Sequence, residues 1–355
     1  MERQFRFRRL EKHGVGGTEG HMELEVPAPQ SDTGKRYREC PSERCEPRTF
    51  LLGQGEERGG ALDCAGARRR PGEDGTTCPY CGLDAPDDRF DYEGDLEEIQ
   101  KYVEWAVLHD TADYMDELAR DFNRSTAPLK GLLGIEMKVK SPRPPRPSLW
   151  REDLLRNIHC GHCGRSYGVY AIALFCPDCG LPNLRDHFDR EVELVEQQVR
   201  LAREVQDREL AYRLLGNAHE DVLTAMESFQ KAVYRFLLDR RLPNRAAQLG
   251  SGKAVKNRFQ NDLNATRLWA NLDIDPFAGL TKDELELLRF NVGKRHVVGH
   301  NLSMSDESYA ATARTEPLGR TVSIVADDVS RFAELCGRVI DGLEVELKTH
   351  CPEGG

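Results

Sequence analysis

Eight of the eleven cysteines fall into pairs whose spacing suits metal ligation. Cys160-Gly-His-Cys163 and Cys176-Pro-Asp-Cys179 are two Cys-x2-Cys knuckles separated by 12 residues, and each is followed by a glycine, Gly164 or Gly180. A turn of this kind delivers two thiolates from one tight loop, and glycine tolerates the positive φ that the turn needs. Two knuckles together supply four thiolates for a tetrahedral zinc ion, with bonds of about 2.3 Å. Upstream, Cys40-x4-Cys45 and Cys78-Pro-Tyr-Cys81-Gly82 form a second set across 32 residues, with Cys64 between them as a competing ligand. Both sets are read as structural Zn2+ sites. Four protein ligands leave no position for an activated water, so no catalytic metal is expected. Cys336 lies on an apolar helical stripe and reads as a core residue, while Cys351 belongs to the C-terminal tail.

The other residues that could do chemistry crowd into Lys294-Arg295-His296-Val297-Val298-Gly299-His300-Asn301. On a helix at about 100° per residue, Arg295 and His300 project roughly 140° apart and flank an apolar stripe. A twofold interface on that stripe would bring two Arg and two His to one cleft. There one imidazole takes the 2′-OH proton of RNA, its symmetry mate protonates the leaving 5′-oxygen, and the guanidinium holds the phosphate. Two plainer roles compete. Arg and His at a helix end satisfy its last carbonyls and the negative pole of its dipole. His296 and His300, four apart, also have the spacing of a two-His metal site, although no Glu lies between them. From Lys231 to Arg258 the chain carries eight basic residues, Lys231, Arg235, Arg240, Arg241, Arg245, Lys253, Lys256 and Arg258, against one acid, Asp239. That stretch is either a track for RNA phosphates or a solvated helix end.

These residues need elements to position them. A strand is expected over Val169–Phe175, joining the knuckles of the second zinc ribbon. Ile99, Val103, Ala106, Val107, Tyr114 and Leu118 predict one or two helices over 96–124. Ser141-Pro-Arg-Pro-Pro-Arg-Pro147 reads as a semi-rigid extended spacer. Beyond Pro182 helical periodicity takes over, in stripes at Val192–Val205 and Val222–Leu237. Thr281-Lys-Asp-Glu284 is a capping box that opens a helix carrying Leu285, Leu288 and Val292. A last helix is expected after Asp327 as N-cap, with Val329, Phe332, Ala333, Cys336, Val339, Ile340, Leu343 and Leu347 along one side.

With Asn301 and then Asp306-Glu-Ser-Tyr309 following it, Arg295-x4-His300 resembles the signature of the HEPN domain, in which an Arg, often a polar residue, and then a His stand late in a helical bundle. The resemblance covers about Arg190 to Leu347. It implies a homodimeric, metal-independent endoribonuclease of the kind found in toxin and antiphage systems, with Arg295 and His300 catalytic. His296 would fill the polar slot, Asn301 would be a neighbour, and a regulatory protein or antitoxin would be a possible partner. Other HEPN domains are inactive binding or dimerisation modules, and a non-catalytic adaptor for nucleic acid or protein is the alternative that the resemblance leaves open.

The expected fold is therefore multidomain α+β. It comprises a zinc ribbon over 1–94 with a flexible insertion at about 53–75, a helical connector over 95–140, a proline-rich joint and second ribbon over 141–187, and an all-α HEPN-like bundle over 188–350. Hydrophobic residues make up 39% of the sequence and charged residues 31%, and the formal charge is −10. A net negative chain repels polyanions, so an RNA site must be a local basic patch. Apolar runs are far too short to span a bilayer, and the N-terminal residues lack a secretory pattern, so no membrane association and a cytoplasmic location are expected.

Overall fold

A computed structural model of the chain describes residues 5–18, 21–26, 30–31, 33–53, 66–70, 73–127, 136–147, 150–151, 155–300, 303–313 and 318–349, with the backbone alone at 30, 150, 151, 300, 308, 312 and 313. The chain divides into two compact units. One comprises residues 1–39, 51–53 and 90–154; the other comprises 40–50, 54–89 and 155–355.

The first unit is built on one long helix, α1, Glu93–Ser125, where periodicity predicted one or two. Tyr102, Ala106, Ala112 and Ala119 form its buried side, together with Asp110. That buried carboxylate is satisfied by Arg9, whose backbone N–H donates to it at 2.9 Å and whose guanidinium donates to it at 2.5 Å and to Asp113 at 2.8 Å. The proline-rich segment, expected as a semi-rigid extended spacer, is strapped to α1. His109 Nε2 meets the Pro144 carbonyl at 2.8 Å, and Arg143 donates to Asp113 and Asp116 at 2.8 and 2.6 Å. The Arg146 guanidinium lies over the rings of Tyr102 and Trp105 at 5.6 and 5.7 Å. Extended proline-rich backbone has no internal hydrogen bonds, so its carbonyls and its arginines look outward for partners, and an acidic helix face supplies them. An exposed hairpin, Gly14–Thr18 with His21–Leu24, and a short pairing of Gln30–Ser31 with Arg36 and, in parallel, with Trp150–Arg151 complete the unit.

Four long helices dominate the second unit: α2, Leu184–Glu204; α3, Arg208–Arg241; α4, Lys282–His300; and α5, Ala326–Lys348. Local chemistry sets their starts. The Asp207 carboxylate accepts the N–H groups of Glu209 and Leu210 at 2.8 and 3.1 Å, capping α3. Thr281 and Glu284 exchange hydrogen bonds as a capping box, with Thr281 N–H donating to the Glu284 carboxylate at 2.8 Å and Glu284 N–H to the Thr281 hydroxyl at 3.3 Å. At α5 the expected N-cap is corrected: the helix already begins at Ala326, and Asp328 rather than Asp327 reaches back, accepting the Val325 N–H at 3.4 Å. Every residue of the stripe predicted for α5 is buried, Cys336 among them with no exposed surface. The stripe packs with Phe188, Val195 and Val199 of α2 and with Val222, Met226, Phe229, Val233 and Leu237 of α3 in a single core. Each Val, Leu, Ile, Met or Phe side chain among them stabilises the fold by about 1.5–3 kcal/mol through burial.

The strand expected over Val169–Phe175 is displaced. The strands are Arg156–His159 and Ser166–Val169, antiparallel with Ser166 opposite His159, so the hairpin encloses the Cys160–Cys163 knuckle instead of joining two knuckles. The apolar run that follows owes its composition to burial among helices. The Ala173 N–H donates to His187 Nδ1 at 3.0 Å, and Leu174 and Phe175 belong to the helical core. Of the segment expected to be a flexible insertion, 54–65 and 71–72 lie outside the described residues, but Arg68 and Arg69 are held by the Cys179 and Asp178 carbonyls. Among the described residues no helix is long and apolar enough to cross a membrane.

Candidate functional site

Cys40, Cys45, Cys78 and Cys81 converge, and so do Cys160, Cys163, Cys176 and Cys179; within each group the four Sγ atoms lie within 4.8 Å of one another. In the first group Cys40 and Cys81 are 3.7 Å apart and Cys45 and Cys78 3.6 Å; in the second, Cys160 and Cys179 are 3.9 Å apart and Cys163 and Cys176 3.6 Å. A dication bonded tetrahedrally to four sulfurs at about 2.3 Å sets them about 3.8 Å apart, so both groups fit such an ion. Disulfides, with sulfurs at about 2.05 Å, do not fit, and all eight thiols are free. Cys64 and Cys351 lie outside the described residues.

The thiols of each group also divide electrostatically. Hydrogen bonds from Cys40, and then from Cys45 and Cys78, pull the Cys81 thiol far below the ordinary thiol range, while the same kind of contact with Cys40, Cys45 and Cys81 holds Cys78 far above it. In the second group Cys160 heads the neighbours that pull Cys163 down, and burial heads the causes that hold Cys176 up. Four crowded, largely buried sulfurs cannot all ionise without a cation to neutralise them, which is the situation that metal binding resolves.

Three of the four cysteine loops share one geometry. The Gly82, Gly164 and Gly180 N–H groups donate to the carbonyls of Cys78, Cys160 and Cys176 at 3.0, 2.9 and 3.0 Å, with φ of 68, 74 and 72. Cys78-Pro-Tyr-Cys-Gly-Leu83 and Cys176-Pro-Asp-Cys-Gly-Leu181 repeat one pattern, and in each the leucine carbonyl accepts the N–H of the first cysteine, at 2.8 Å. The longer Cys40-x4-Cys45 loop departs from this form.

At the C-terminal end of α4 the structure places Arg295 at 17% exposure, with its guanidinium paired to the Glu220 carboxylate of α3. Among the described residues the buried Arg295 Nε has no hydrogen-bond partner. Glu220 also lies close to the last turn of α4, since a Cβ built on Gly299 would be 3.6 Å from its Oε2. His296 is exposed. The His300 side chain and the whole of Asn301 lie outside the described residues. Beneath this surface, His219 Nε2 meets Asn291 Oδ1 at 3.0 Å, His219 stacks on Phe332, and Lys294, only 3% exposed, pairs with Asp328 at 3.1 Å. The sequence alone did not single out Glu220, His219, Asn291 or Asp328, and it assigned Lys294 no partner. Polar residues at i and i+4 along α4 were visible, but their partners lie on other helices.

The basic stretch separates into two groups. Lys231 pairs with Glu227, the Arg235 Nε donates to the Gly250 carbonyl at 3.2 Å, and Arg241 donates to the Leu272 carbonyl at 2.9 Å and to Glu346 at 3.1 Å. Arg240 lies over the Phe236 ring at 4.4 Å and donates to the Cys81 carbonyl at 3.2 Å, tying α3 to the first cysteine group. Arg245, Lys253, Lys256 and Arg258 are exposed.

No protein-family model, no curated protein and no solved structure matches the chain.

Proposed function

We propose that the chain is a homodimeric, metal-independent endoribonuclease whose two four-cysteine sites bind structural zinc. The observation that carries the reading is Arg295, a largely buried guanidinium held by Glu220 at the end of α4, beside His296 and one turn before His300. A guanidinium that is held in place loses little freedom on meeting a phosphate, and it stabilises the negative charge that builds there during reaction. In the proposed reaction His300 of one subunit removes the proton from a ribose 2′-OH. The oxygen attacks the adjacent phosphorus, the bond to the 5′-oxygen breaks, and the His300 of the other subunit supplies the proton to that leaving oxygen. The products are a 2′,3′-cyclic phosphate and a 5′-hydroxyl. The HEPN resemblance supports this assignment. Arg245, Lys253, Lys256 and Arg258 are the candidates for holding flanking RNA phosphates. Four thiolates per ion fill a tetrahedral shell, so the zinc holds the fold and takes no part in the reaction.

The test is a short incubation of mixed RNA with wild type, Arg295→Ala and His300→Ala, each checked first for zinc content. Wild type is expected to leave cyclic-phosphate ends and both variants to lose cleavage by about a hundredfold or more. Equal cleavage by all three proteins would refute the assigned centre. A second reading, a non-catalytic adaptor, draws on the Arg295–Glu220 pair, because a neutralised guanidinium attracts phosphate less. A wild type that binds RNA but never cuts it would favour that reading.

A further inference from the structure

We propose that the two four-cysteine centres take up and release metal as one cooperative unit, with Arg68 and Arg69 as the strap that couples them. The inference rests on the metal reading of the cysteine groups and is independent of the ribonuclease reading.

The two knuckles with the shared Cys-Pro-x-Cys-Gly-Leu pattern exchange main-chain hydrogen bonds. The Thr77 N–H, just before Cys78, donates to the Pro177 carbonyl at 2.9 Å. In return the N–H groups of Leu174 and Phe175, just before Cys176, donate to the Pro79 carbonyl at 2.7 and 3.2 Å. Each knuckle therefore supplies the acceptor that orders the segment leading into the other. The side chain of Phe175 reinforces this, since a Cβ built on Gly82 would lie 3.0 Å from its ring.

Arg68 and Arg69 then bind both sides of this exchange. Arg68 N–H donates to the Cys179 carbonyl at 2.9 Å, while its guanidinium donates to the Gly82 carbonyl at 2.9 Å and lies 5.6 Å from the Phe175 ring. Arg69 donates from Nε to the Asp178 carbonyl at 3.1 Å and from Nη2 to the Thr77 hydroxyl at 2.6 Å, and it pairs with Asp84. Its side chain is only 9% exposed. Both arginines thus touch the loop after Cys78 or its flanking strands and also the loop of Cys176–Cys179.

Charge gives the strap a second role. A dication held by four thiolates leaves each centre doubly negative, so two neighbouring centres repel one another unless cations stand between or beside them. Arg68 and Arg69 each touch the loops of both centres. Arg165 pairs with Asp178 at 3.0 Å, Arg48 donates to the Cys40 carbonyl at 2.9 Å, and Arg240 donates to the Cys81 carbonyl. When one centre is empty its knuckle loses the geometry that presents Pro79 or Pro177 and the arginine acceptors. The other centre then loses ordered backbone and charge compensation at the same time. That is coupling between two sites through shared contacts.

Native mass spectrometry of the full-length protein loaded with Zn2+ alone, during stepwise removal by a chelator, reads the forms with zero, one and two ions. At half release, independent and equal sites would put roughly half of the molecules in the one-ion form. The proposal expects less than about a fifth, which corresponds to a coupling of at least roughly 16-fold. An Arg68→Ala, Arg69→Ala double variant is expected to return the one-ion form to about half while still binding two ions when zinc is in excess. A one-ion form of a fifth or more in wild type overturns the coupling and leaves the metal sites standing, and this measurement does not depend on the variant folding. A double variant that still passes directly from two ions to none overturns the role of the arginines. A wild type that binds no zinc refutes the metal reading on which both rest.

Discussion

Gly180 follows Cys179 at φ 72, and its N–H closes the knuckle on the Cys176 carbonyl. A side chain there meets two costs. The left-handed backbone strains an L-residue by about 1–2 kcal/mol. A Cβ would also lie 2.7 Å from Arg68 Cδ and 3.0 Å from the Thr77 hydroxyl. Gly180→Ala is therefore expected to lower both the melting temperature and the retention of zinc against a chelator. Gly252→Ala, where a Cβ meets nothing within 4 Å, is the control and should change neither. Indistinguishable melting curves for the two variants would show that the knuckle does not depend on the glycine. Arg295 makes a related point about single residues. Its type and position were legible, but its environment was not, because the carboxylate that holds it is 75 residues away in the chain.

Among the elements, α1 and its proline-rich strap form a pair that neither would form alone. The strap contributes two arginines and a carbonyl; the helix contributes Asp113, Asp116, His109 and two aromatic rings. Arg143→Ala removes both ion pairs to α1, so cleavage within 141–147 by a protease that does not cut at arginine is expected to become several-fold faster, with helix content by circular dichroism unchanged. A strap equally resistant in both proteins would place its hold elsewhere. In the second unit, α3 and α4 approach closely at Gly216, where a Cβ would lie 3.1 Å from Val298 Cγ1. Periodicity located both helices but could not show which small residue lets them meet.

At the scale of the whole molecule, two neutral histidines make stability depend on pH. Burial lowers His187 to about 3, and burial, followed by a hydrogen bond to Asn291 that acts in the opposite sense, lowers His219 to about 4. Both are uncharged in the folded chain near neutrality and titrate near 6.5 when unfolded. The unfolded chain therefore binds more protons between these values, and the stabilisation is complete above about 6.5 and is lost as pH falls, toward about 4 for His219 and about 3 for His187. The loss is expected to be about 3 kcal/mol for His219 and about 5 kcal/mol for His187. Acid also releases metal from thiolates, so the informative comparison is with His219→Gln, which keeps a hydrogen-bond donor but does not titrate. Its melting temperature should fall less steeply than that of wild type between pH 6.5 and 4.5, and parallel slopes would refute the assignment.

Much of the molecule was legible in residue spacing. Three of the four cysteine loops could be read because a Cys-x2-Cys-Gly turn is local, and the stripe from Val329 to Leu347 could be read because helical burial repeats every three to four residues. The displaced strand shows where such reading stops: Val169–Phe175 is apolar because helices cover its end, and an apolar run looks the same whichever element buries it. The pairing of Glu220 with Arg295, the strap on α1 and the exchange between Pro79 and Pro177 were decided by tertiary structure. Each joins atoms that are distant in sequence, and only packing determines which of many chemically equal partners a charged or polar group meets.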